Sequence, residues 1–87
     1  MQLAEEIRQF IFDNYIKPAK AKGETKVTVV SGDVHSQMRL ENQMPSVCQV
    51  LRGEKFQIEY NICLMKEIRL PSVQFNSSTN RFVFEIR

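Results

Sequence analysis

The chain has 87 residues, 43% hydrophobic and 25% charged, with a formal net charge of +2. This is the composition of one small globular domain, residues 1–87, with a single modest core, and a near-neutral balance by itself names no partner. No apolar run is long enough to span a bilayer, and Glu5, Glu6 and Arg8 interrupt a signal-like start, so the expected setting is the cytoplasm and no membrane. Cys48 and Cys63 are too few for a disulfide framework; both lie in apolar patterns and read as buried thiols.

In chain order, residues 2–22 read as a helix whose stripe holds Leu3, Ala4, Ile7, Phe10, Ile11 and Tyr15. Pro18 inside this pattern predicts a kink or an early end near Ile16, and Gly23 is placed to stop whatever continues. A second stripe of Phe12, Ile16 and Ala19 has two readings: packing against the C-terminal strands, or a homodimer contact through Phe12 and Ile16. "TKVTVV" (25–30) is β-branched and alternating, a short strand. Ser31 then suits the cap of a short helix at about 32–39, with Asp33 near its positive end and Val34 and Met38 as its apolar pair. "RLENQ" turns the chain, with Leu40 inward and Asn42 as the expected N-cap of the next helix. Pro45 is tolerated only in a first turn, which sets that helix start near residue 43.

In residues 43–52, Met44, Val47, Cys48 and Leu51 fall at i, i+3, i+4 and i+7, while Ser46, Gln49 and, nearer the flank, Arg52 face away. Gly53 ends the helix, and "EKFQIEYN" suggests a further turn or two with Phe56 and Tyr60 facing the core. The period then changes: "ICLMKEIRL" reads as a strand, and "RFVFEIR" alternates Phe82, Phe84 and Ile86 with charged or outward positions. "PSVQFNSSTN" between them is a long loop of turn formers. Residues 17–26 gather Lys17, Lys20, Lys22 and Lys26, and Arg39, Arg52, Lys55, Arg69 and Arg81 recur near element ends.

This order of helix, short strand, helix, tight turn, helix and two strands resembles a winged helix-turn-helix domain. It is an α+β fold of three helices and a small antiparallel sheet, the short strand joining the C-terminal hairpin. The stretch "SGDVHSQMRLENQMPSVCQVLRGEKF" also resembles a run found in small uncharacterised prokaryotic proteins. The resemblance implies double-stranded DNA as partner, in the manner of a small transcriptional regulator, with helix 43–52 in the major groove. Gln43, Ser46, Gln49 and Arg52 would then face base edges, chemistry that suits adenine for Gln and guanine for Arg. Lys26, Arg39 and Lys55 would contact phosphates, and Arg69 and Arg81 would flank a wing offering Asn76, Ser77, Ser78 and Asn80. The loop 71–80 itself carries no Lys or Arg. Winged helices also serve as protein-interaction modules, which is the alternative reading.

No catalytic constellation is apparent, so the expectation is a non-enzyme without cofactor or metal. His35 is the only histidine and reads as a capped surface imidazole. Cys48 lies on the buried stripe, against a reactive thiolate, and His35, Cys48 and Cys63 lack both a fourth ligand and a close ligand pair for zinc. The three glycines are too scattered for a phosphate loop.

Overall fold

In the computed structural model, which describes residues 2–71 and 76–87, the N-terminal helical run does not break at Pro18. Helix α1 (Leu3–Ile11) passes into a π-helical segment (Phe12–Ile16) and then into α2 (Lys17–Ala21). A π turn accommodates one extra residue, so the five-residue step from Ile11 to Ile16 stays on one face. Ile7, Ile11, Ile16 and Ala19 are all buried as a result. The wider turn also sits immediately before Pro18, where an α-helical ladder would meet a missing N–H and a ring clash. Of the two residues expected at a dimer face, Ile16 is 1% exposed, and Phe12, partly buried, stacks on Tyr60 with ring centroids 4.5 Å apart, so Ile16 packs within the fold.

Strand β1 (Lys26–Val30) leads directly into α3 (Ser31–Gln37). Ser31 was expected to cap that helix. Its hydroxyl instead donates to the Ser77 carbonyl at 2.6 Å, and its backbone N–H donates to the Asn80 carbonyl at 3.0 Å. The Gly32 N–H bonds the Ser78 carbonyl at 2.9 Å. A Cβ at Gly32 would stand 2.5 Å from that same oxygen, so only glycine lets the two backbones approach. The Ser-Gly pair is thus a stitch between the start of α3 and the last part of the hairpin loop, just before β3.

The turn after α3 uses two left-handed residues, Arg39 (φ 56°) and Asn42 (φ 55°). Asn42 therefore serves the turn rather than capping α4 (Met44–Arg52), whose N-cap position is held by Gln43 without a side-chain cap. Across this turn the His35 Nε2 accepts the Gln43 N–H at 3.2 Å, so the imidazole positions the start of α4 rather than lying free at the surface. Gly53, in extended conformation, separates α4 from α5 (Glu54–Tyr60). Helix α5 is the further turn or two expected of "EKFQIEYN", with Phe56 buried and Tyr60 partly so, and it makes a fourth helix beside the three that the winged-helix resemblance implies.

Strands β2 (Ile62–Ile68) and β3 (Arg81–Ile86) complete a three-stranded antiparallel sheet in the order β1-β3-β2. Phe82 and Phe84, paired with Val29 and Val27, face the helices and are fully buried. Phe84 meets Phe56 of α5 edge-on at 5.5 Å between centroids. Each such side chain contributes about 1.5–3 kcal/mol on burial. The register slips between Leu64 and Lys66, so Met65 is a bulge. Beyond it Glu67, not Lys66, lies opposite Phe82 and shares its inward face. Among the described residues no helix is long and apolar enough to cross a membrane.

Candidate nucleic-acid interface

Helix α4 packs through Val47, Cys48, Val50 and Leu51, all buried. The Cys48 thiol is fully enclosed, and burial pushes its pKa up. Cys63 lies half-buried in β2, paired with Glu85, and both thiols are free. What α4 leaves outward is Pro45, Ser46, Gln49 and the approach to Gly53. Ser46 donates its hydroxyl to the Gln43 side-chain oxygen at 3.1 Å, so these two satisfy one another at the start of the helix. Gln49 is exposed, and among the described residues its amide makes no hydrogen bond.

Arg52 has a different placement from the one expected of a base-reading arginine. Its Nε and one terminal nitrogen donate to the two oxygens of Glu67 at 2.9 and 2.6 Å, a bidentate pair. The other terminal nitrogen donates to Asn76 Oδ1 at 2.6 Å, and the guanidinium lies 5.6 Å from the Phe82 ring centroid. The Met65 bulge is the cause, because it turns Glu67 to the inner face beside the end of α4. The Arg52 hydrogen bonds hold the Glu67 carboxyl below its ordinary range, and Glu67 in turn raises Arg52 further. Arg69 adds a weaker contact to Glu67 at 3.8 Å. Arg52 fastens the end of α4 to β2 and to Asn76, on the far side of the loop.

The remaining expected contacts divide by position. Arg39 stands exposed in the turn before α4 and Lys55 exposed just after it, bracketing the helix. Arg81 is exposed at the loop end of β3, opposite Ile68 and next to Arg69. Lys26 falls outside this group. It pairs with Glu85, at the other end of β1 from Val30 and Arg81, roughly 13 Å along the strand. Residues 72–75 of the expected wing lie outside the described residues.

Two shallow depressions flank Gln49. One is lined by Pro45, Gln49, Arg52, Gly53 and Asn76. The other, about 250 Å³, lies between α1, α4 and the start of α5 and includes Arg8, Ser46, Gln49 and Lys55. Arg8 was not among the expected site residues. Its signal in the sequence is its spacing: it lies four residues from Ala4 and from Phe12, on a helix face that is otherwise apolar. Comparison with known protein families, curated proteins and solved structures finds no match for this chain.

Proposed function

We propose that the chain is a winged helix-turn-helix domain that binds double-stranded DNA, with α4 lying in the major groove and the β2–β3 connection beside it as the wing. The observation that carries this reading is Gln49: an exposed amide at the middle of the outward face of α4, without a hydrogen bond among the described residues, with cations at both ends of the helix. An amide presenting donor and acceptor together can bond adenine N6 and N7 bidentately. Ser46 lies about one turn, and the N-cap residue Gln43 nearly two turns, before Gln49, and both extend the same face. Arg39 and Lys55 are placed to hold phosphates, and Arg81 to hold one near the wing, which sets register without reading sequence. Arg52 supports the interface by positioning the wing.

The order of elements and the β1-β3-β2 sheet agree with this reading, and a role as a small transcriptional regulator follows if the duplex contact is sequence-selective. One observation favours a protein-interaction module instead: Ile58 is 78% exposed, and Met65, Ile68 and Leu70 are also open on β2 and its extension. The deciding experiment is fluorescence anisotropy with random duplex DNA across a range of salt concentrations. The DNA reading expects affinity that falls steeply with salt, a slope that drops by about one unit in Arg39→Gln, and a loss of roughly 1–3 kcal/mol at particular base pairs in Gln49→Ala. A wild-type protein with no salt-dependent affinity even at low ionic strength refutes it.

A further inference from the structure

We propose that the cleft between α1, α4 and the start of α5 is a binding site for a single phosphate group, held by Arg8 and Lys55. Arg8 is 8% exposed, a degree of burial that arginine tolerates only when its charge is met. Its one counter-charge among the described residues is Glu59, whose Oε2 lies 3.3 Å from Nε; the side chain of Glu59 is itself 48% exposed, so water shares it. The contact does not have hydrogen-bond geometry, and among the described residues the buried Nε has no hydrogen-bond partner. Nor do the terminal nitrogens of Arg8 have one among the described residues. The two terminal nitrogens, which carry four of the five guanidinium donors, therefore bring almost unspent bonding capacity to the lining of the cleft.

The rest of the cleft suits an oxyanion. Lys55 stands at its rim, exposed, and among the described residues it makes no ion pair that would occupy its ammonium. The amide of Gln49 completes the polar side, the Ser46 hydroxyl being turned to Gln43, while Ala4, Val50 and Phe56 supply apolar lining. A volume of about 250 Å³ takes a tetrahedral phosphate with its first waters, each water occupying about 30 Å³. Guanidinium and ammonium together match phosphate geometry and charge. The cleft shares Gln49 with the outward face of α4, so a phosphate seated there lies beside the groove-facing residues. The assignment of that phosphate to a duplex backbone rests on the proposed function; the alternative source is free phosphate.

The test is a titration of the ¹⁵N-labelled full chain with sodium phosphate against sodium chloride at matched pH and ionic strength. The expected result is saturable, phosphate-specific shifts at the amides of Ser46, Gln49, Gly53 and Lys55. Lys55→Gln, at an exposed position, keeps the fold and should bind phosphate about tenfold more weakly; Arg8→Gln should abolish binding. Equal shifts in chloride, or wild-type phosphate affinity in Lys55→Gln, would overturn the site. A short duplex is then added to the phosphate-loaded protein. Displacement of phosphate from the cleft identifies the backbone as its source. Retention of phosphate with no duplex binding leaves the site standing as a free-phosphate site and overturns the DNA reading. Duplex binding without any phosphate-specific shift overturns the site and leaves the DNA reading intact.

Discussion

Replacing Glu67 with Gln keeps the size of the side chain and removes the charge that holds Arg52. The pair is partly buried, with side chains 19% and 18% exposed, and makes two charge-assisted hydrogen bonds. Exposed pairs contribute about 0–1 kcal/mol, and breaking a fully buried one costs about 3–5 kcal/mol. An intermediate position, with the Gln carbonyl still accepting one bond, gives a loss of roughly 1–2 kcal/mol at neutral pH, read as a lower urea midpoint. The dependence on pH has a definite sign. Arg52 lowers the Glu67 pKa in the folded state, so the stabilisation is complete above the ordinary carboxylate range and is lost as pH falls through the depressed value. Wild-type and Glu67→Gln stabilities should therefore converge in acid. The same variant separates two roles for Arg52 in DNA binding. A base-reading Arg52, released from Glu67 and with one repelling charge gone, would bind duplex more tightly. A wing-positioning Arg52 makes Glu67→Gln bind more weakly. Unchanged stability at neutral pH, or tighter duplex binding, would refute the clamp.

Gly32→Ala places a methyl 2.5 Å from the Ser78 carbonyl oxygen and should cost about 1–3 kcal/mol in chemical denaturation, with backbone shifts at residues 76–80. His35→Ala removes the acceptor of the Gln43 N–H and should cost about 1 kcal/mol, with amide exchange at Gln43 accelerating more than exchange in β3. Thiol labelling of the native protein should separate the cysteines: Cys48, fully buried with its thiol pKa raised, reacts only as denaturant opens the fold, while half-buried Cys63 reacts first.

The elements written in local periodicity were legible before the structure. The stripe of Met44, Val47, Cys48 and Leu51 and the alternation of Phe82 and Phe84 each repeat at the spacing of one backbone geometry, and the structure buries Val47, Cys48, Leu51, Phe82 and Phe84 fully while Met44 packs partly buried against them. Where the geometry departs from a regular period, the pattern misleads. The step of five from Ile11 to Ile16 assigned Ile16 to a second stripe, because a 3.6-residue period cannot place both on one face; the π segment can. The Met65 bulge has the same effect in β2, turning Glu67 inward against the alternation. Long-range partners were beyond local reading altogether. Ser31 looks like a helix cap because nothing nearby announces the carbonyls of Ser77 and Asn80 more than forty residues on. Arg52 looks like a free groove contact for the same reason. Of the candidate interface, the face of α4 was legible from Gln43 to Gln49, whereas the burial of Arg8 depends on how α1 and α5 meet.

Whether the outward face of α4 and the Arg8–Lys55 cleft meet a DNA duplex is read by mapping amide shifts of the ¹⁵N-labelled chain on adding a short duplex at low and at physiological salt. The DNA reading expects shifts concentrated at Gln43, Ser46, Gln49, Gly53 and Lys55, with Arg39 and Arg81 at the margins, and binding that weakens as salt rises. Shifts centred instead on Ile58, Met65 and Ile68, or no shifts at low salt, would contradict it.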